Sequence, residues 1–417
     1  MKSARETALL ILCKTEYQGT YPNLELKHMP PEMEKRDKAL VTNLVYGVLS
    51  RKLTLDYILE QYSKLKIKKL SRYIHQIVRM GIYQMLFMDK IPERVAVDES
   101  VKLARRYGHG GSAGYVNGLL RTIARSKIQY PEDGILRLSV LYSFPEWICR
   151  KWITEFGYDF TEEMLKGMDT VPQLTLRPNR LKTTPEHLAE LLREQGVQAE
   201  ISGNAVISSG LEVGKDSLYR QGMYTVQDRA AMAAVEELNP QPGETVLDLC
   251  AAPGGKTTYM AERMENRGRI LAFDVYEHKI DLIRENAARL GIGIIEAKIG
   301  DAQQCDSSLV GIADKILCDA PCSGWGILRR KPDIKWNRKP EDDFPTLQLK
   351  ILTNAAQYLK NRGQLLYSTC TVEREENEGV TNAFLKENGG FQKVYEKTFY
   401  PHIDGTDGFY ICKLEKK

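Results

Sequence analysis

The sequence predicts a multidomain protein: an all-α N-terminal bundle, a small α+β module, and a C-terminal α/β domain on a doubly wound, Rossmann-like sheet. Three observations carry this. Up to about residue 128, apolar residues recur at helical spacing with no strand-like run between them. From Thr245 onward, apolar strands alternate with amphipathic helices, the pattern of a mostly parallel sheet. Between one strand and one helix lies Asp248-Leu249-Cys250-Ala251-Ala252-Pro253-Gly254-Gly255-Lys256-Thr257, a tight small-residue turn of the kind that aims backbone N–H groups at a ligand.

Helical periodicity covers 4–14, 37–49, 53–62, 73–87, 95–107 and 115–125, giving a first domain at 1–128. The glycine-rich run 108–114 has no strand before it and reads as an interhelical connection, not a phosphate loop. Residues 129–143, with Pro131 and Gly134, read as a linker. The module at 144–238 takes helices over 145–156 and 160–169, a strand at 174–177, and a helix over 184–195 opened by Thr184-Pro185-Glu186. Short strands follow near 199–207 and 217–220, then a helix over 227–237. The catalytic domain, 239–417, has strands at 245–249, 269–274, 294–299, 315–319, 364–368 and 409–414, with helices between them.

Charge is uneven. Of 59 Lys+Arg and 55 Asp+Glu, 23 and 12 fall in residues 1–128, so a basic head precedes a mildly acidic body. That asymmetry fits contact with a polyanion, or simply a solvated basic surface. Lys64, Lys66, Lys68, Lys69 and Arg72 cluster between two helices. No apolar run approaches the ~18 residues of a membrane span, so a cytoplasmic protein is expected. The eight Cys include no C-x-x-C pair. Reduced thiols without a structural metal are the expectation.

The turn at 250–257 nearly matches a phosphate-binding loop, since Gly255-Lys256-Thr257 fits its end and Ile316-Leu317-Cys318-Asp319 follows like its acidic partner strand. A nucleoside-triphosphatase is therefore an alternative. Against it, Cys250 replaces the first glycine and Pro253 stiffens the loop. Asp274 ends the next strand, where an acid can hydrogen-bond ribose hydroxyls. Asp301 follows the third strand, where it can meet an adenine edge. Either aspartate alone is readable as a helix cap. Together they favour a nucleoside ligand without a triphosphate, S-adenosylmethionine. Asp319-Ala320-Pro321-Cys322-Ser323-Gly324 and Tyr367-Ser368-Thr369-Cys370-Thr371 each put a Cys at the same sheet edge. Two such thiols point to covalent chemistry, though either alone would pass as a core Cys. The basic run Arg329, Arg330, Lys331, Lys335, Arg338 and Lys339, with Trp325 and Trp336, reads as phosphate contact and base stacking, or as a solvated loop.

Val97-Asp98-Glu99-Ser100-Val101-Lys102-Leu103-Ala104 and Tyr115-Val116-Asn117-Gly118-Leu119-Leu120 resemble the end of a NusB-type RNA-binding helical domain. The 248–257 turn, Asp-Ala-Pro-Cys-Ser-Gly, Arg329–Trp336, and Ser-Thr-Cys-Thr followed by Glu375-Glu376-Asn377-Glu378 resemble the Sun/Fmu-type RNA cytosine-C5 methyltransferases. Arg177-Pro178-Asn179-Arg180-Leu181-Lys182 and Asp407-Gly408-Phe409-Tyr410 are similar to the motifs that open and close that family's core. With the helical head, the resemblance narrows to the branch acting on small-subunit (16S) ribosomal RNA. It implies Cys370 as the nucleophile, Cys322 as the thiol that releases the adduct, and Asp319 in contact with the base. It implies S-adenosylmethionine held by Cys250, Ala251, Ala252, Pro253, Gly254, Gly255, Lys256, Asp274, Asp301 and Asp319. It places Arg177, Asn179, Lys182, Arg329, Arg330 and Lys331 on RNA. A monomer without a metal is the expectation, though nothing in the residues reads out oligomeric state. A non-catalytic RNA-binding assembly factor is the other alternative.

Overall fold

The computed structural model describes residues 2–417. The chain forms two compact units, one running up to Asp169 and including Lys331–Arg338, the other comprising Thr170–Arg330 and Lys339–Lys417.

In the first unit the expected helices stand at Ala4–Gln18, Lys35–Ser50, Lys52–Tyr62, Arg72–Phe87, Glu93–Tyr107 and Ser112–Ala124. Helix Pro22–Lys27 is additional, too short for periodicity to reveal. Arg72–Phe87 is the central helix and buries Ile74, Ile77, Val78, Met80 and Ile82 against Leu9, Leu44, Val45 and Ile58. Gly47 lets it approach, because a Cβ there would sit 2.0 Å from the Tyr83 ring. Its one deeply buried charge, Arg79, grips Asp56 through Nε (2.7 Å) and Nη2 (2.5 Å), and His75 Nε2 lies 2.8 Å from the same carboxylate. Burial acts to raise the Asp56 carboxyl, but hydrogen bonds from Arg79 and His75 prevail and hold it at about 2.

Two expectations fail in this unit for identifiable reasons. The stretch read as a linker carries helix Gly134–Tyr142, because Asp133 caps it by accepting from the Leu136 N–H (2.8 Å). Gly134 sits in the first turn, where it breaks nothing. The segment Lys331–Arg338, read as RNA-facing, is built into this unit. Lys335 is 3% exposed. Its ammonium lies 3.3 Å from the carbonyls of Ser50 and Tyr142 and 3.8 Å from the centre of the Phe144 ring. Trp336 Nε1 donates to the Leu49 carbonyl (2.8 Å). Ser50 and Tyr142 end their helices, so the amine faces two helix C-termini at once.

Burial pulls the Lys335 ammonium from its ordinary value of 10.5 down to about 7. Between those values the unfolded chain holds the proton and the folded one does not, so stability rises with pH across that window. Relative to Lys335→Met, the wild-type unit should gain on the order of a few kcal/mol between pH 7 and about pH 10. Urea titrations of both proteins at the two pH values check this. A difference that does not change with pH rejects it.

The second unit contains two sheets among the described residues. The smaller is antiparallel, in the order β2 (Gln198–Ser202), β3 (Ala205–Ser209), β1 (Leu174–Pro178), β4 (Tyr224–Val226). The strand expected at 217–220 is instead a helical turn, Ser217–Arg220, capped by Asp216 on the Leu218 N–H (3.1 Å). The pairing role passes to β4.

The larger sheet uses β5 (Thr245–Asp248), β6 (Arg269–Asp274), β7 (Ile295–Ile299), β8 (Ala313–Asp319), β9 (Leu359–Thr369), β10 (Phe391–Phe399) and β11 (Phe409–Lys416), in the order β10-β11-β9-β8-β5-β6-β7. β5 to β9 are parallel. β11 runs antiparallel to β9, and β10 antiparallel to β11. The edge strand β10 escaped the sequence reading because Gln392, Lys393, Glu396 and Lys397 interrupt its apolar pattern, as charges on an exposed edge do. Val246, Leu247, Ile316, Leu317, Leu365 and Leu366 are fully buried, the mark of central strands covered on both faces. The chain builds outward from β5 to β7, then returns to set β8 beside β5. The gap between the C-terminal ends of β5 and β8 is thus the switch point where such sheets bind ligands.

Candidate active site

β5 delivers Asp248 to that edge. Its Oδ2 accepts from Thr257 Oγ1 (2.7 Å), and its buried Oδ1 makes no hydrogen bond among the described residues. Burial lifts the carboxyl to about 7, so a cationic ligand beside it would restore full charge. The loop closes with the Gly254 N–H on the Ala251 carbonyl (2.7 Å). Gly254 is left-handed (φ 96°), and a Cβ there would press to 3.2 Å from the Ile283 backbone. As N-cap it offers no side chain to helix Gly255–Arg263, leaving the first N–H groups to face the loop. The thiol of Cys250 is raised well above its ordinary range by burial, so that residue contributes backbone and packing to the cradle.

Asp274 and Asp301 do different work. Asp274 is buried at the end of β6 and paired with Lys279 (3.2 Å). Asp301 folds onto its own loop, accepting from the Gln303 N–H (2.9 Å) and Gln304 Nε2 (3.3 Å), so it closes a turn and caps no helix. It still lines a cleft of about 230 Å³ with Leu249, Phe273, Ile299, Leu309 and Tyr358. Asp306 and Gln304 line it as well, and apolar walls with a few polar groups suit a purine ring. Phe273, Leu309 and Tyr358 were not picked out from sequence, and nothing local to them marks a site.

Lys256 Nζ lies 2.6 Å from Asp319 Oδ2, while Asp319 Oδ1 accepts from Ser368 Oγ (2.8 Å). Burial acts to lower the Lys256 ammonium, but Asp319 more than offsets it and the net shift is upward. A lysine committed to Asp319 is not reaching for a phosphate, which removes the main support for a triphosphatase. From the ends of β8 and β9, Cys322 and Cys370 bring their sulfurs to 3.2 Å, and both remain reduced. Cys322 is raised well above the ordinary thiol range, first by its hydrogen bond with Cys370 and then by burial, with the Glu376 carboxylate adding to the shift. Cys370 instead lies in the field of the Lys256 ammonium.

Several residues expected on RNA are placed elsewhere. Arg177 is buried, with Nη2 on Glu262 Oε1 (2.7 Å) and Thr258 Oγ1 (3.1 Å) and Nη1 on the Gly255 carbonyl (2.6 Å) and Gln227 Oε1. Asn179 is buried and spans the carbonyls of Gly222 (2.8 Å) and Leu290 (2.9 Å). Arg329 is 7% exposed at its side chain and paired with Asp407 (3.0 Å). Arg330 divides itself between Asp407 (2.7 Å) and Asp228 (3.2 Å). These four hold the protein together; RNA does not reach Arg177 or Asn179. Lys182 and Lys331 are exposed.

A switch-point cradle, a purine-sized cleft and a strand-end thiol pair on this sheet define a methyltransferase whose cofactor is S-adenosylmethionine. Residues 235–415 match the family described as 16S rRNA methyltransferase RsmB/F, residues 2–125 the NusB family, and residues 144–215 the ferredoxin-like domain of RsmF/B-like methyltransferases. The chain is 37% identical over 443 residues to the probable ribosomal RNA small subunit methyltransferase B of Bacillus subtilis (strain 168), covering 100% of this chain and 99% of that one. It is 34% identical to the probable protein of the same name from Synechocystis sp., covering 100% of both. Among solved structures, PH0851 superposes with a TM-score of 0.83 at 26% identity, covering 100% of this chain and 99% of that one. A methyltransferase homolog from Pyrococcus horikoshii gives 0.60 at 27% identity, over 69% of this chain and 100% of its own. The chain belongs to the ribosomal RNA small subunit methyltransferase B family.

Proposed function

We propose that this protein methylates C5 of a cytosine in 16S ribosomal RNA through a covalent bond between Cys370 and C6 of the base. The observation that carries the reading is the 3.2 Å approach of Cys322 and Cys370 beside the Lys256–Asp319 pair. Cytosine C5 is a poor nucleophile. Addition of the Cys370 thiolate across C5–C6 makes C5 electron-rich enough to attack an electrophilic methyl group. When bound, S-adenosylmethionine supplies that methyl group. Asp248, Gly254, Gly255, Asp274 and the Asp301 cleft would hold it. Asp319, fixed on both oxygens, accepts from the exocyclic amino group of the base. The C5 proton then passes to water, its C–H electron pair re-forms the C5–C6 double bond and Cys370 Sγ leaves; Cys322 assists that release by donating its thiol proton to the departing sulfur, 3.2 Å away.

The difference between the two thiols supports this division of roles. Cys370 and the Lys256 ammonium interact through their charges. The hydrogen bond with Cys370, then burial and the Glu376 carboxylate, raise the Cys322 thiol, so it keeps a proton to give to the departing sulfur. The target base has to be unpaired or flipped to reach the sulfur. Exposed Lys182 and Lys331, and the exposed cluster Lys64, Lys66, Lys68, Lys69 and Arg72 in the helical unit, are assigned to RNA phosphates. Among the described residues no helix is long and apolar enough to cross a membrane. The reading is of a cytoplasmic monomer.

The Cys322→Ala variant should complete methyl transfer but stall at release. Incubated with rRNA and cofactor, it should give a protein–RNA band that survives a denaturing gel, at least about tenfold above wild type. Ready turnover by this variant without such a band would reject the covalent route.

A further inference from the structure

The turn Glu375–Gly379 follows the Cys370 strand and is wound wider than an α-helix, with the Gly379 N–H on the Arg374 carbonyl (2.8 Å). Turns of this kind recur at functional sites. Two consecutive buried side chains on it, Glu376 and Asn377, take no part in the bond-making just described. Glu376 Oε2 accepts from the Ser323 N–H (2.9 Å) and from Gln348 Nε2 (2.8 Å), and the same Gln348 amide donates to the Pro321 carbonyl (2.9 Å). The residues on either side of Cys322 are thus fixed from one carboxylate. Asn377 Oδ1 accepts from Thr369 Oγ1 (2.5 Å), and its Nδ2 donates to the Thr371 carbonyl (3.2 Å). The residues on either side of Cys370 are fixed from one amide. Ser323 Oγ and Thr371 Oγ1, 2.8 Å apart, join the two loops directly.

We propose that Glu376 and Asn377 are positioning residues for the two thiols: one side chain brackets Cys322, its neighbour brackets Cys370, and their fixed spacing on one turn sets the approach of the two sulfurs. The inference rests on the two-thiol reading of the reaction. Geometry explains the residue types. Two N–H donors converge on one buried oxygen, which calls for a strong acceptor such as a carboxylate. A hydroxyl and a carbonyl have to be met by one side chain, which calls for an amide. A displacement of about 1 Å at reacting atoms costs roughly a hundredfold in rate, so the brackets act on turnover without touching substrate.

The test uses the full-length protein as wild type, Glu376→Ala, Glu376→Gln, Asn377→Ala and Gln348→Ala. Diamide takes up the two hydrogens released when a thiol pair closes to a disulfide. The rate of Cys322–Cys370 closure, read by peptide mapping, therefore reports sulfur approach without RNA or cofactor. Wild type should close this bond. Glu376→Ala and Asn377→Ala should close it at least about tenfold more slowly and lower kcat roughly a hundredfold, with KM for RNA and Kd for S-adenosylmethionine within about twofold. Glu376→Gln, which keeps an acceptor, should recover most of both rates. Gln348→Ala, which removes one of the two donors, should fall between and serves if Glu376→Ala does not fold. Folded alanine variants that close the disulfide and turn over at wild-type rates overturn the proposal, as does a loss of kcat matched by an equal loss of cofactor binding. A wild-type protein that closes the bond but leaves RNA unmethylated counts against the proposed reaction alone, and the closure rates of the variants still decide the brackets.

Discussion

Cys370→Ala is expected to lower methyl transfer by a factor on the order of 10³ or more, leaving it at background, while Kd for S-adenosylmethionine stays within about twofold. The sulfur at the end of β9 lies in the field of the Lys256 ammonium, and Cys322 in that of the Glu376 carboxylate. In the proposed reaction, removing it deletes the atom that activates the base and leaves the cradle around Asp248 and Gly254 intact. A thousandfold loss corresponds to about 4 kcal/mol of barrier. The check is transfer of labelled methyl to RNA under single turnover, with cofactor binding measured in parallel. Full activity in Cys370→Ala together with an inactive Cys322→Ala would exchange the roles of the two thiols.

Arg177→Ala is the second large effect, and it is one of stability. The guanidinium and the Glu262 carboxylate are both sealed from water, at 1% and 0% side-chain exposure. Truncating the arginine strands a buried carboxylate and frees the Gly255 carbonyl and Thr258 hydroxyl. A loss of about 3–5 kcal/mol is expected. The pair Arg177→Met with Glu262→Leu removes both charges and should regain most of that loss, because desolvation of an ion pair largely offsets its attraction. Cofactor affinity should not recover, since Arg177 Nη1 is what ties the Gly255 carbonyl at the start of the cradle helix to β1. Chemical denaturation and calorimetric binding of the single and double variants separate the two effects. A single variant within about 1 kcal/mol of wild type would show that the pair contributes little.

The cradle was legible because it is local. Asp248 through Thr257 carries its strand end, its turn and its helix start within ten consecutive residues, and backbone geometry follows from Gly254 and Pro253 directly. The catalytic strands were legible for the same reason: β5, β6 and β8 are apolar runs with an acid at the end. The two thiols were readable as strand-end cysteines, but 48 residues separate them, and only sheet order brings β8 beside β9. Glu376 and Asn377 stood in a motif quoted only for its resemblance. Two polar residues opening an otherwise amphipathic helix were the available signal, and their partners lie in other loops.

The sequence by itself determined the class of fold, the edge of the sheet at which ligands bind, and the chemistry of the residues gathered there, because periodicity and turn composition are properties of neighbours in the chain. Tertiary structure decided which cations face outward. Arg177, Arg329 and Lys335 sit in basic runs that read alike along the chain. Yet Arg177 meets Glu262 85 residues away, Arg329 meets Asp407 78 residues away, and Lys335 ends against the carbonyl of Ser50, 285 residues back. A buried charge is held by whatever partner the fold brings to it, and no local spacing encodes that partner.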